Sequence, residues 1–456
     1  MGSQSMDHRY HIVMLPFMAH GHLTPFLALA TQIINRSKFS ITIADTPLNV
    51  RYLRSTITDH NPHITFAELP FSGPENTENL PPSKIVDLLH SSRNLEQPFR
   101  RLLCDITAKE GRPPLCVISD WFFGWASDVA KSIGTFNFTF ATGGAYGTLA
   151  SISMWLHLPH QCTDSAEFAI PGFPERCRFL RSQLNPQVRE ADGSDPWSRF
   201  MLPQISLSLK SHGPPSLSKR SGKEVGLFLE KYLEWLDKQR PESVVYVSFG
   251  SQNTIGASRM MKLARGLEKS GKPFVWVVRP PLGFDVKGEF RSEWLPEGFE
   301  ERMRKTKQGL IVRNWAPQLE ILSHKSTAVF LSHCGWNSIM ESLSWGVPIV
   351  AWPLAAEQAY NSKILSEEMG VSLELTGGNE SSVGEDEVKK MVDLEMDGNG
   401  KGGKMRTEAF VIKEQIGDAI RMEGQLKGSS VKALDDFFGF VLTRTEELSK
   451  SNLFSE

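Results

Sequence analysis

Nine residues, FLSHCGWNS from Phe330 to Ser338, limit the folds open to this chain. An apolar run, a glycine-containing turn and a polar helix start read as a buried strand feeding directly into a helix. A unit of that kind belongs to an α/β sheet. Its turn aims backbone N–H groups at an anion, where the helix dipole also favours negative charge. His333 sits beside the turn, with Asn337 and Ser338 in the first helical turn. Glu341 follows Asn337 by four residues and Ser338 by three, so it shares their helix face. An anion cradle with a carboxylate beside it suits a nucleotide diphosphate whose ribose offers two hydroxyls.

The same alternation runs through the chain. In the first half, His11–Leu15, Ser40–Ala44 and Leu115–Ser119 read as strands, with Leu23–Ile34 and Gly124–Ile133 as helices. In the second half, Ser243–Phe249, Pro273–Val278, Leu310–Arg313, Thr327–Leu331 and Pro348–Trp352 are strands and Ser258–Lys269 is a helix. The turn-rich GPPSLSKRSG at 213–222 separates the halves. A chain of 456 residues exceeds one ordinary core. The expected fold is therefore α/β, with two doubly wound Rossmann-like domains facing a cleft. The expected boundaries are an N-terminal domain over 1–212, a linker over 213–225, a C-terminal domain over 226–442 and a tail over 443–456. Glu385–Leu442 is expected to be largely helical, broken by a Gly/Lys-rich loop at Gly398–Lys404.

Composition excludes several classes. A net charge of −2 supplies no basic excess for a nucleic-acid partner. Five cysteines without a Cys-x-x-Cys suggest reduced thiols and no zinc site, which fits a cytoplasmic location. The N-terminal MGSQSMDHRY lacks a signal-peptide core, and no apolar run is long enough for a membrane span. An isolated Gly250, with no Gly-x-Gly-x-x-Gly after a strand, argues against a nicotinamide oxidoreductase.

The 44 residues from Trp315 to Gln358 carry a longer pattern. They include WAPQ (315–318), HCGWNS (333–338), Glu341, WGVP (345–348), Trp352-Pro353 and Glu357-Gln358. This pattern resembles the plant secondary-product signature of the family 1 UDP-dependent glycosyltransferases. The resemblance implies a GT-B fold and roles by position. Trp315 stacks on uracil, Gln318 contacts it, and Ala316 contributes backbone. Glu341 binds the ribose hydroxyls. His333, Asn337 and Ser338 hold the diphosphate, helped by Ser251. Trp336, Glu357 and Gln358 face the sugar, and Gln358 with Trp336 points to glucose. Trp345, Trp352 and Pro353 are expected to be packing residues, and Cys334 a small buried filler. The polar C-terminal SKSNLFSE gives no counterpart to the membrane anchor of the animal enzymes.

Glycosyl transfer also needs a base for the acceptor proton. His20-Gly-His22 follows the first strand, and the family's catalytic position, ahead of an apolar-x-Pro segment, falls on His22. Asp120, closing the strand at 116–119, is the expected partner that fixes the imidazole tautomer. Phe17, Trp121, Phe122 and Phe123 flank this pair as candidates for the acceptor pocket. No Asp-x-Asp or metal-spaced His/Glu cluster is present, so no metal and no cofactor is expected beyond UDP-glucose as co-substrate. The expected activity is inverting, metal-independent O-glucosyl transfer to a small lipophilic plant metabolite of flavonoid, phenolic, terpenoid or hormone type. The expected partners are this acceptor and the UDP-sugar, and the expected assembly is a monomer.

The chain departs from the family pattern once. LSLKSH (207–212) runs straight into Gly213-Pro-Pro, where relatives carry a further strand of the N-terminal domain. A few dozen residues are missing by this comparison. Two alternatives follow: a catalytically impaired UDP-sugar-binding or regulatory protein, and a UDP-glucose hydrolase.

Overall fold

The computed structural model describes residues 10–57, 61–209, 228–285, 288–375, 383–422 and 427–453. The expected linker at 213–225 and the shortened junction beside it lie outside the described residues. The chain divides into two compact units, one comprising Met1–Thr142, Ser194–Lys223 and Ala419–Glu456, the other Gly143–Gly193 and Glu224–Asp418. This division differs from the boundaries read along the chain. Gly143–Gly193 precedes the linker in sequence yet packs with the second unit.

The first unit holds an all-parallel sheet of β1 (Tyr10–Leu15), β2 (Phe39–Asp45), β3 (Ile64–Glu68), β4 (Cys116–Asp120) and β5 (Asn137–Phe140), in the order β3-β2-β1-β4-β5. Helix α1 (His20–Arg36) carries apolar residues at 23, 26, 30 and 33, a helical stripe that lays Leu23, Phe26, Ala30 and Ile33 on the sheet. Phe26 meets Phe140 edge-on with ring centroids 5.0 Å apart. The C-terminal helix Ser429–Leu453 adds Leu434, Phe438 and Val441 to the same core. Arg36 ties that helix down by donating to Asp435 at 2.8 Å and to the Val431 carbonyl at 3.1 Å. Burying each such large apolar side chain contributes about 1.5–3 kcal/mol.

In the second unit, β6 (Glu167–Ala169) and β7 (Arg178–Leu180) form a short antiparallel pair. The main sheet comprises β8 (Val244–Ser248), β9 (Phe274–Val278), β10 (Gly309–Arg313), β11 (Thr327–Ser332), β12 (Ile349–Ala351) and β13 (Ser372–Glu374). It is parallel, in the order β10-β9-β8-β11-β12-β13. Val245, Val247, Trp276 and Leu331 enter one core while Val244, Tyr246, Val275 and Phe330 enter another. A sheet covered on both faces needs such continuous apolar strands.

Strands β3, β5 and β13 escape the sequence reading; all three lie at sheet edges, and β3 and β13 are only partly buried. The expected loop at Gly398–Lys404 is also shorter than read, since the helix Lys401–Ala419 begins inside it. In both sheets the strand order reverses beside the first strand, between β1 and β4 and between β8 and β11. The C-terminal ends of strands flanking such a reversal leave a crevice that receives ligands.

Candidate active site and its family

Two groups of candidate residues gather at these two reversals. In the first unit, β1 and β4 are direct neighbours, with Leu15 opposite Ser119. His22, in the first turn of α1, and Asp120, the last residue of β4, are therefore brought together from 98 positions apart. His22 Nδ1 lies 2.6 Å from Asp120 Oδ2. Asp120 is fully buried, and its other oxygen accepts the Phe122 N–H at 3.1 Å. With the ring proton on Nδ1 and donated to Asp120, Nε2 is the basic nitrogen. Thr142 Oγ1 stands 3.1 Å from the same Nδ1. Thr142 was not singled out from the sequence, although its place just past β5, at the ligand end of a parallel strand, is a usable signal.

Aromatic rings surround this pair. Phe17 meets His22 edge-on at 5.4 Å, Phe122 lies 5.6 Å from it, and Trp121 packs on Phe122 at 4.7 Å. Trp121 and Phe122 are partly exposed, whereas Phe17 is almost wholly covered. Phe123 corrects the expected acceptor set. Its side chain is fully buried and packs on Trp125 at 5.4 Å, so it is core. His20 is occupied elsewhere, with its ring stacked on Tyr52 at 3.8 Å.

In the second unit, the turn after β11 leads into the helix Trp336–Ser344. Cys334 adopts a left-handed φ of 64°, a strained conformation for a side chain with Cβ, and Gly335 caps the helix with its backbone alone. His333 is wedged between two glycines. A Cβ on Gly250 or on Gly335 would lie 2.6 Å from its ring. Burial, reinforced by the Arg279 charge, lowers the His333 pKa to about 4. The ring is therefore neutral near pH 7 in this structure. Arg279, just past β9, is a further group the sequence reading passed over. It donates to the Asn314 carbonyl at 2.9 Å, immediately before Trp315.

The remaining donor candidates cluster around that turn. Gln318 donates to Glu341 at 2.7 Å and to Ser338 at 3.1 Å, and its carbonyl oxygen accepts from Tyr246 at 3.3 Å. Trp315 is half exposed while Ala316 is buried. Asn337 is partly buried on the same helix turn, and Ser251 is exposed after β8. The Gln358 carbonyl oxygen accepts from the Leu354 and Ala355 N–H groups at 2.9 and 2.8 Å. Trp336 and Glu357 lie against Gly144 and Gly143, at the start of the helix Ala145–His157. Trp352 is buried as expected, but Trp345 is 46% exposed and does not serve as packing. Among the described residues, no group of three or more His, Cys, Asp or Glu side chains is arranged to hold a metal.

Comparison with known proteins decides the family. Residues 229–392 match the family model described as UDP-glucoronosyl and UDP-glucosyl transferase. The chain is 39% identical to UDP-glycosyltransferase 92A1 of Arabidopsis thaliana, over 98% of this chain and 100% of that one. It is 38% identical to crocetin glucosyltransferase 3 of Crocus sativus, over 92% of this chain and 98% of that one. The chain belongs to the plant family 1 UDP-glycosyltransferases.

Its fold is that family's GT-B fold. A solved UDP-glucosyltransferase from Polygonum tinctorium, capable of glucosylating indoxyl, superposes with a TM-score of 0.79 at 26% identity, covering 95% of this chain and 98% of that one. As a UDP-glycosyltransferase, the chain is an enzyme that moves a sugar from a UDP-sugar to a small molecule. The alignment with the Arabidopsis relative runs over 489 residues, longer than the 456 of this UDP-glycosyltransferase, so the relative carries segments that this chain lacks. Among the described residues, no helix is long and apolar enough to cross a membrane.

Proposed function

We propose that this enzyme transfers glucose from UDP-glucose, with inversion, to a hydroxyl of a small lipophilic plant metabolite. The observation that carries the reading is the 2.6 Å pair of His22 Nδ1 and Asp120 Oδ2, flanked by Phe17, Trp121 and Phe122. His22 Nε2 takes the acceptor proton as the oxygen attacks the anomeric carbon, and buried Asp120 stabilises the imidazolium that forms. A single in-line displacement of UDP inverts the anomeric centre.

On the donor side, Trp315 presents a half-exposed ring for uracil and Glu341 a carboxylate for the ribose hydroxyls. Gln318, already bonded to Glu341, spans the two, with the Ala316 backbone beside it. The diphosphate lies at the N-terminus of the helix Trp336–Ser344, with Asn337, Ser338, Ser251 and neutral His333. The N–H groups and dipole at that terminus stabilise the leaving charge, and no metal is needed for this. Trp336, Glu357 and Gln358 hold the sugar. The lean to glucose rests on Gln358 together with Trp336, the pair that points to glucose by the family resemblance. We place the enzyme in the cytoplasm as a monomer. The assigned domains are an acceptor-binding N-terminal part and a UDP-sugar-binding C-terminal part.

Incubating the protein with UDP-glucose and a panel of flavonoids, simple phenols, terpenoids and hormones, with UDP and glycoside detected by mass, tests the reading. Glycoside and UDP in equal amounts are expected. UDP without glycoside points to hydrolysis, and UDP-glucose binding without UDP release points to an impaired binder. The segments this chain lacks favour the impaired alternative, while the His22–Asp120 pair favours transfer.

A further inference from the structure

Helix α1 carries the proposed base in its first turn but lacks the side chain that ordinarily caps such a helix. Its N-cap is Ala19, whose side chain has no acceptor, and no acidic residue occupies its first turn. A carboxylate arrives instead from 58 positions along the chain. Glu78 Oε1 accepts the His20 backbone N–H at 2.7 Å and lies 3.8 Å from His20 Nδ1. Its side chain is 6% exposed.

The loop bearing Glu78 is held by a chain of buried polar groups. Thr77 N–H donates to the Met18 carbonyl at 3.0 Å, and Glu78 N–H donates to Asn76 Oδ1 at 2.8 Å. Asn76 donates to Asn49 at 2.6 Å, which donates to Asp45 Oδ1 at 2.9 Å and to the Glu75 carbonyl at 2.8 Å. Asn49, Asn76 and Asp45 are all buried. The loop is therefore fastened to the end of β2 and to the entry of α1 together.

We propose that Glu78 is a positioning residue for the base, capping α1 from outside and placing a negative charge at the helix end that holds His22. The inference rests on the assignment of His22 as base made above. An uncompensated helix N-terminus disfavours a cation nearby, and His22 must become one during transfer. Glu78 offsets that positive end, while Asp120 on β4 acts directly on the ring. The titratable and charged groups around this corner are His20 on α1, Tyr52 on α2 (Pro47–Thr56), Asp45 on β2, Glu75 on the loop and Asp120 on β4.

The test is the pH profile of kcat/KM for the acceptor at saturating UDP-glucose. In Glu78→Gln the acid limb is expected to move about 0.2–0.7 pH unit lower, the size of a charge effect at a helix terminus. UDP affinity should not change. Glu78→Asp, whose charge is drawn back by one methylene, should move the limb in the same direction but less. The shift should persist in a His20→Gln background. An unmoved limb in whichever Glu78 variant folds overturns the proposal, as does a shift that vanishes without His20. His22→Ala separates the two levels. Wild-type transfer in that variant sinks the base assignment, whereas an inactive His22→Ala with an unmoved Glu78→Gln limb sinks only the role of Glu78.

Discussion

Replacing Asp120 by Asn keeps the shape of a fully buried side chain and removes its charge. In the wild type, proton transfer to His22 creates a cation beside that carboxylate, with Nδ1 and Oδ2 2.6 Å apart. Unit charges about 4 Å apart attract by about 4 kcal/mol at an effective dielectric constant near 20. At about 1.4 kcal/mol per factor of ten, losing the pair slows the chemical step about a thousandfold. The amide brings a second effect, because its N–H can donate to Nδ1 and drive the ring proton to Nε2. The nitrogen facing the acceptor is then a donor and no longer a base. Both effects act through one hydrogen bond, so they do not simply multiply. The assay is UDP release from UDP-glucose with an accepted substrate, alongside calorimetric titration with UDP. We expect kcat to fall about a thousandfold with UDP affinity unchanged, since every proposed UDP contact comes from the second unit. A kcat within tenfold of wild type, in protein that binds UDP normally, would refute the reasoning.

Three further outcomes are expected. Trp315→Ala should weaken UDP binding by about 1–3 kcal/mol, the worth of one base–aromatic stack, and leave the melting temperature nearly unchanged because the ring is half exposed; equal UDP affinity by calorimetry would remove Trp315 from the uracil site. Gly250→Ala places a Cβ 2.6 Å from the His333 ring at a φ of 77°, so UDP affinity should drop about tenfold and stability by about 1 kcal/mol or more; an unchanged denaturation midpoint and affinity would show that the wedge is not tight. Glu395 is buried without a hydrogen-bond partner for its carboxylate, and burial raises its pKa to about 8. The unfolded chain loses this proton near pH 4.5 while the folded chain keeps it to about pH 8, so this group makes stability fall as pH rises across that window. Glu395→Gln should remove that fall and gain roughly a few kcal/mol over wild type at pH 8 relative to pH 5, read from denaturation midpoints at the two pH values.

Much of the proposed donor site is legible along the chain because its parts are local. A strand, a turn and the first turns of one helix carry His333, Asn337, Ser338 and Glu341, and helical spacing alone puts the last three on one face. The alternation of apolar runs also marks most central strands, since a sheet buried on both faces demands them. The edge strands β3 and β13 are hard to read because a few half-buried residues leave no period to detect, and the edge strand β5 spans only four residues. Trp345 and Phe123 go astray for a related reason. An aromatic residue in a motif is equally compatible with core and surface until its neighbours are known.

The chain's order of residues determines an α/β architecture, the motif of the proposed UDP-sugar cradle and a histidine placed after the first strand. Tertiary structure decides what that histidine can do. Pairing β1 with β4 seats Asp120 against His22, and a loop from residue 78 supplies the charge that α1 lacks. It also makes His333 neutral, because burial between Gly250 and Gly335 is a property of the packed site. Gly143–Gly193 joins the second unit for the same kind of reason, with Gly144 lying directly on the Trp336 ring. Periodicity and spacing act over a few residues, whereas these outcomes depend on which distant strands become neighbours and on how much water that pairing excludes.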